Sequence, residues 1–342
     1  MKYFRLSFLV TFFCLGMAYY WGTTHEMGGI AALTLAIILS IMEVSLSFDN
    51  AVVNATVLKE MSEKWQRLFL TVGILIAVFG MRLFFPIAIV AIATGLGLVD
   101  VAQMALNSPA EYARHLTDSH VSIAAFGGTF LLLVFLGFLF DEERELHWLG
   151  KPERILSKMG KMESISILVA LIVLALANYL VPEEQRHTLL LSGLTGIILF
   201  VAVNSLDVFF ENEEEGEAIV NTAKRSGVMG FIYLEILDAS FSFDGVIGAF
   251  AITQDIVIIM LGLTIGAMFV RSLTVYLVKK GTLDEYVFLE HGAHYAIGVL
   301  AFIMLISIVH HVPEIVTGLT GVAFIVLSLY SSIKYKKKLV TA

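Results

Sequence analysis

Glu43-Val-Ser-Leu-Ser-Phe-Asp49-Asn50 lies inside an apolar run that extends from about residue 28 to about residue 58. Charged groups at membrane depth cost roughly 2.5 kcal/mol or more each on insertion, so carboxylates in such a run are candidates for function. The pattern returns in a later apolar run as Asp238-Ala-Ser-Phe-Ser-Phe-Asp244-Gly245. Both copies read acid-x-Ser-x-Ser-Phe-Asp-[Asn/Gly]. We interpret them as two stretches that face each other within a bilayer and hold a cation between them.

The composition is typical of a membrane protein. The 342 residues are 58% hydrophobic and only 15% charged, with a mean hydropathy of +0.85, whereas soluble domains carry about 25% charged residues. The single cysteine, Cys14, excludes an intrachain disulfide and a metal site built from several cysteines. The net charge of −8 gives no basic footprint of the kind that nucleic-acid binding requires.

Ten apolar runs divide the chain, and each is near the length of about 20 residues that a helix needs to cross the hydrocarbon. They predict an all-α polytopic membrane protein with about ten transmembrane helices, because uniformly apolar runs lack the alternation of barrel strands. The first run is predicted to be a retained helix. A removed signal peptide is the alternative, although Met17-Ala-Tyr-Tyr-Trp is a poor cleavage site. The runs cover about residues 6–21, 28–58, 68–94, 121–140, 164–181, 188–210, 228–253, 256–278, 292–310 and 315–333.

The distribution of lysine and arginine predicts the orientation of these helices. Basic residues concentrate in alternate short loops, and such loops are cytoplasmic in most membrane proteins. With ten crossings, the rule predicts that both termini are cytoplasmic. We expect the membrane to be a bacterial inner (plasma) membrane. The basic residues on the predicted cytoplasmic side include Lys59, Lys64, Arg67, those of the 141–163 linker, Lys279, Lys280 and the lysines after residue 333.

The two motif copies indicate an inverted repeat. They lie on the second and seventh predicted helices, so an odd number of crossings gives them opposite directions. Gly73 stands nine residues before Arg82, and Gly262 stands nine residues before Arg271. Helices 2–4 and 7–9 would form the repeats, which is the usual construction of secondary transporters. The predicted segments are 1–27 (first helix), 28–140 (repeat 1), 141–227 (linker, two helices and the acidic loop 211–217), 228–312 (repeat 2) and 313–342 (last helix and basic tail).

The predicted ligands are all oxygen donors. Oxygen-only sites suit Mn²⁺, Ca²⁺ and Mg²⁺ better than Zn²⁺ or copper. We expect no tightly bound cofactor and treat the ion as the one transported or bound. Candidate metal ligands are Glu43, Asp49, Asn50, Glu235, Asp238 and Asp244, and candidate pathway hydroxyls are Ser45, Ser47, Ser240 and Ser242.

Helical spacing limits how these residues can meet. Glu43 and Asp49 are six residues apart, about 240° around an ideal helix, so they share a site only if the helix unwinds between them. Broken helices of that kind are common in transporter sites. Arg82 and Arg271 are predicted charge partners of the acids. They either lock the fold or take part in transport, and the sequence leaves both roles open.

The first motif and the later Ser-Phe-Asp copy resemble the TerC family, integral membrane proteins named for tellurium resistance within the LysE-type transporter group. The resemblance covers about residues 30–330 and points to a less-characterised branch with more helices than the commonest members. It implies export of divalent metal, chiefly manganese, and an association with metal and tellurite resistance, with Glu43, Asp49, Asn50, Asp238 and Asp244 as functional residues. Gly245 departs from the family pattern and removes one ligand.

The leading hypothesis is a secondary transporter, not an enzyme, that exports a hard divalent cation, most of all Mn²⁺, in exchange for protons. No G-x-x-x-x-G-K-[ST] motif is present, so the chain has no such ATPase site of its own. The alternatives are a LysE-like exporter of small solutes, a membrane partner that delivers metal to secreted enzymes and, least favoured, an intramembrane aspartyl protease. The expected partners are the lipid bilayer and a divalent metal ion, and no nucleic acid is expected. The sequence leaves open whether the protein forms a homo-oligomer.

Overall fold

The computed structural model describes residues 2–25, 27–69, 71–162, 164–210, 227–310 and 312–341. All regular secondary structure in these ranges is helical, which confirms the predicted all-α class. The acidic loop 211–217 lies outside the described residues. The helices of the first part are α1 Arg5–Thr24, α2 Gly29–Leu46, α3 Phe48–Glu60, α4 Glu63–Phe69, α5 Val72–Leu75, a π-helical stretch Ile76–Phe84, α6 Phe85–Thr94, α7 Leu98–Asn107 and α8 Pro109–Asp118.

In the described residues after 119, the chain continues with nine α-helices. They are α9 His120–Leu139, α10 Lys151–Ser157, α11 Ile165–Leu180, α12 Glu183–Phe210, α13 Gly227–Ile252, α14 Ile256–Lys280, α15 Thr282–Glu285, α16 Leu289–Ser307 and α17 Glu314–Thr341. Short 3₁₀ turns lie at Lys2–Phe4 and Lys158–Lys161.

Within the described ranges, seven helices are long and apolar enough to cross a membrane: α1, α2, α9, α12, α14, α16 and α17. An eighth span results if α11 is joined to the segment Lys151–Lys161 across a 105° bend. The chain is therefore a polytopic membrane protein, as predicted, and seven or eight spans meet this criterion in the described ranges against about ten predicted. The third predicted run is divided among α4, α5, the π-helical stretch and α6. The seventh run is α13. Every stretch of 18 residues within α13 contains Glu235, Asp238 and Asp244, so α13 carries too many charges to be counted among the seven spans.

The helices form two units, and unit 1 contains both motif copies. It consists of residues 1–120 and 230–280, whereas unit 2 consists of residues 121–229 and 281–342. These boundaries cut across the predicted repeats, because α16 and nearly all of α9, the third helices of the two repeats, belong to unit 2. The second helix of repeat 2, α14, packs in unit 1 against α1, α2 and α3.

Small residues allow α14 to approach α2 closely. A Cβ at Gly262 would lie 2.6 Å from the Cβ of Leu39 and 3.0 Å from the carbonyl oxygen of Ala36, and a Cβ at Gly266 would overlap the side chain of Glu43. The residues that α2 buries, among them Ala32, Ala36, Leu39 and Glu43, repeat every three or four positions and so share one face. Glycines four apart are a common device for close helix packing in membranes.

The first motif copy is broken and the second is not. Helix α2 ends at Leu46 and α3 begins at Phe48, with Ser47 between them at φ −107° and ψ 16°. The predicted unwinding therefore amounts to one residue. The second copy lies within the uninterrupted α13.

Unit 2 contains a buried ion cluster where the sequence suggested only a charged linker. Glu153 is fully buried, and its Oε1 lies 3.3 Å from Arg144 Nη2 and 3.5 Å from His291 Nε2. The guanidinium group of Arg144 lies 3.8 Å from the ring centre of Phe138. The linker thus packs onto α9 through the contact of Arg144 with Phe138, and onto α16 through the contact of Glu153 with His291.

We predict that Gly266→Ala destabilises the protein by about 1–3 kcal/mol, the usual cost of overpacking. The added methyl group would collide with the Glu43 side chain and would lie 3.0 Å from the carbonyl oxygen of Ser40. Thermal unfolding of purified protein in detergent measures the effect. Gly16→Ala on α1 is the matched control, since a Cβ there has no heavy atom within 4 Å. Equal unfolding temperatures for the two variants would contradict the close packing of α14 against α2.

Candidate functional site

The first acid of copy 1, Glu43, is buried and forms an ion pair with Arg82 from the π-helical stretch. Ser47 donates its hydroxyl to Glu43 Oε1 over 3.2 Å. Arg82 also donates to the carbonyl oxygen of Ala77, five residues earlier, over 2.6 Å. π-Helical turns occur often at functional positions, and here the π-helical stretch carries Arg82, whose guanidinium group neutralises Glu43.

Gly245, the last residue of copy 2, lies against the same carboxylate. A Cβ at this position would be 2.8 Å from Glu43 Oε2, so a side chain there would displace the carboxylate. Against the TerC pattern, Gly245 is a position where one ligand is lost. The structure gives the glycine a steric reason, because it leaves room for the acid of the other copy.

The first acid of copy 2, Asp238, accepts three hydrogen bonds. Asn50 and Asn54 each donate their side-chain NH₂ group to Asp238 Oδ1 over 2.8 Å. Arg271 donates from Nη2 to Asp238 Oδ2 over 2.9 Å. Asp238 therefore joins α13 to α3 and to α14. Sequence reasoning missed Asn54, although its position four residues after Asn50, on the same helix face, is a usable signal.

Arg271 is held from several directions and leaves Glu235 only weakly paired. It donates to the carbonyl oxygens of Phe69 (3.1 Å) and Gly73 (2.9 Å), and its guanidinium group lies 3.8 Å from the ring centre of Phe69. Glu235 Oε1 is 3.6 Å from Arg271 Nη2, and neither carboxylate oxygen has a hydrogen-bond partner among the described residues. A Cβ at Gly73 would lie 2.6 Å from Glu235 Oε1, so this glycine also accommodates an acid.

These contacts are reciprocal between the two copies. The first acid of each copy pairs with the arginine of its own repeat, Glu43 with Arg82 and Asp238 with Arg271. The last residue of each copy contacts the first acid of the other, Asn50 with Asp238 and Gly245 with Glu43. Such exchange is what an approximate twofold relation between repeats would produce, and the inverted repeat itself stays a prediction.

The remaining predicted residues are placed differently from one another. Asp49 is buried in the first turn of α3, where its Oδ1 accepts from the backbone N–H of Asn50 over 3.0 Å. Ser242 is buried and its hydroxyl has no partner in the described part of the chain, while Ser240 donates to the carbonyl oxygen of Ile236. Ser45 does not meet the acids. Its side chain is exposed, and its hydroxyl donates to the carbonyl oxygen of Ile41 on the same helix. The side chain of Asp244 lies outside the described residues.

No group of three His, Cys, Asp or Glu side chains in the described ranges is arranged to hold a metal ion. Glu43 and Asp238 each face an arginine instead. A cation at this site would need amide or hydroxyl oxygens in addition to carboxylates.

The comparisons with known proteins decide the family. The model of the family described as "Protein of unknown function (DUF475)" matches residues 48–339, more than four fifths of the chain. The chain belongs to the DUF475 family. This finding overturns the resemblance to TerC, which is a distinct family, and removes the support that the resemblance lent to manganese and tellurium resistance. A short acidic motif flanked by serines in an apolar helix is evidently not specific to one family.

One curated relative of this DUF475 protein is the "Uncharacterized membrane protein YceF" of Bacillus subtilis (strain 168). The two are 25% identical over 174 residues, which cover 42% of this chain and 66% of the relative. The chain thus spans slightly less than two thirds of the relative's length. No solved structure matches the chain. The relative's name agrees with a membrane protein and states no activity.

We predict that Arg82→Met destabilises the protein by about 3–5 kcal/mol, because it leaves Glu43 as an uncompensated buried charge. Adding Glu43→Gln should recover much of the loss, since the double variant has no buried charge at this place. Thermal unfolding in detergent gives the coupling between the two substitutions.

The control for this pair is Arg67→Met, whose partner Glu63 lies 3.1 Å away in a pair that is more than three quarters exposed on both sides. Such surface pairs contribute about 0–1 kcal/mol. Strictly additive effects of Arg82→Met and Glu43→Gln would contradict the buried ion pair.

Proposed function

We propose that this protein is a secondary transporter, not an enzyme, that moves a hard divalent cation out of the cytoplasm in exchange for protons. Mn²⁺ is the first candidate ion, followed by Ca²⁺ and Mg²⁺. The proposal places the protein in a bacterial inner membrane with both termini in the cytoplasm. The positions of lysine and arginine in the short loops support this orientation, and the chain's polytopic architecture supports a transporter.

The observation that carries the proposal is the surplus of buried acid in unit 1. Glu43, Asp49, Glu235 and Asp238 are all at most 8% exposed, and the buried or half-buried cations beside them are Arg82 and Arg271. Two more carboxylates than arginines are therefore buried among the described side chains. A bare charge surplus in a low-dielectric region is costly, so protons or a metal cation must compensate it. Exchange of one for the other would couple transport to a proton gradient.

The donor atoms support a hard cation. Carboxylate, amide and hydroxyl oxygens surround the two ion pairs, and such sets suit Mn²⁺, Ca²⁺ and Mg²⁺. The only cysteine, Cys14, is on α1, and the histidines of α16 belong to unit 2. The histidines of unit 1 lie outside α2, α3, α13 and α14, at the end of α1 (His25), in α8 (His115) and at the start of α9 (His120). The soft and nitrogen ligands that favour zinc or copper are thus not part of the proposed site.

We predict that purified protein in liposomes moves Mn²⁺ when a proton gradient is imposed, and that Asp49→Asn lowers the initial rate by about tenfold or more. The reason is that Asp49 is a buried carboxylate without an arginine or lysine partner in the described ranges, so its charge is available to the cation. A metal-sensitive dye inside the vesicles reports the flux.

The control is Asp118→Asn, the same chemical change at an exposed position at the end of α8, which should leave the rate unchanged. The assay imposes proton gradients in both directions and tests Mn²⁺, Ca²⁺ and Mg²⁺ in turn. Failure of every divalent cation to move in the unsubstituted protein would overturn the proposed function.

A further inference from the structure

The amide groups of Asn50 and Asn54 are held in one orientation by Asp238. A carboxylate oxygen only accepts hydrogen bonds, so both amides must present their NH₂ groups to Asp238 Oδ1 and their carbonyl oxygens elsewhere. Those two Oδ1 atoms are buried and have no hydrogen-bond partner among the described residues. The residues themselves are 5% and 1% exposed.

Unsatisfied buried acceptors are rare in folded proteins and require an explanation. Here several lie on residues of one neighbourhood of α3 and α13, and all are oxygens. They are Asn50 Oδ1, Asn54 Oδ1, Glu235 Oε1 and Oε2, and Ser242 Oγ, of which only the Ser242 hydroxyl can also donate. Arg82 Nε on the π-helical stretch is a further buried donor without a partner among the described residues of unit 1. Glu235 belongs to this neighbourhood because it lies 3.6 Å from the same Arg271 nitrogen that bonds Asp238. A group of acceptors with few free donors is suited to a cation.

We propose that Asn50 and Asn54 supply a pair of carbonyl oxygens to the cation, and that Asp238 is a positioning residue rather than a ligand. Asp238 has its oxygens occupied by two amides and a guanidinium group, so it fixes the direction of the amides instead of meeting the ion. Asn54 is assigned to the site by this geometry alone. The inference rests on the proposed function, because it names the atoms that would receive the transported ion.

A thiolate in place of an amide tests this assignment, because thiolate ligands favour soft metals such as Cd²⁺ over Mn²⁺. The reference protein is Cys14→Ala, in which no thiol remains. Asn54→Cys in that background should shift the ratio of Cd²⁺ to Mn²⁺ affinity by about tenfold or more toward Cd²⁺. It should also produce the ultraviolet absorption of a cadmium–thiolate bond. A residue with a purely structural role would change stability without either effect.

The matched control is Thr56→Cys, two residues along α3 and about 200° around the helix from Asn54. It should leave the affinity ratio unchanged and give no cadmium–thiolate absorption. Asn50→Cys is the second test variant, and the same shift is expected for it, so the proposal stays testable if one variant does not fold.

The two proposals fail in different ways. If the reference protein binds neither Mn²⁺ nor any other hard divalent cation, the proposed function is wrong. If it binds Mn²⁺ while Asn54→Cys and Asn50→Cys show neither the shift nor the absorption, the transporter proposal survives and the amide pair is wrong. A shift in both variants and none in Thr56→Cys would support the assignment.

Discussion

The buried charge of Asp238 is the constraint on which unit 1 depends. A carboxylate at membrane depth needs partners, and it takes them from α3 through Asn50 and Asn54 and from α14 through Arg271. Arg271 in turn binds the carbonyl oxygens of Phe69 and Gly73. One ionised group thereby connects four segments of the chain, because each partner needs further partners to remain buried at acceptable cost.

Much of this arrangement can be predicted from spacing. Two copies of one acidic motif, each followed by Gly and Arg nine residues apart, are enough to predict that the copies meet and that Arg82 and Arg271 pair with acids. Length and hydropathy likewise predict the helical class. The number of spans is harder to predict, since the division of the third run into short helices and the acids of α13 change which helices meet a simple apolar criterion. Family membership cannot be read from so short a motif.

Side-chain packing accounts for most of what sequence reasoning misses. Asn54 looks like any polar residue near a helix end, and only the direction of its amide toward Asp238 distinguishes it. Gly245, Gly73 and Gly266 each lie against an acidic side chain of another segment, so their small size has a steric cause that no local pattern reveals. Reading a glycine in such a helix as a missing ligand or a flexible point overlooks the neighbour that occupies the space.

The acids of α13 also bear on how the protein is made. Each aspartate near the centre of a helix costs about 2.5–3.5 kcal/mol on insertion from the translocon, and no 18-residue window of α13 has fewer than three acids. Its compensating groups are Asn50 and Asn54, synthesised long before, and Arg271, synthesised just after. Unit 1 is completed only at residue 280. The contacts between α3 and α13 can therefore form only after the ribosome has added more than one hundred residues of unit 2 between them.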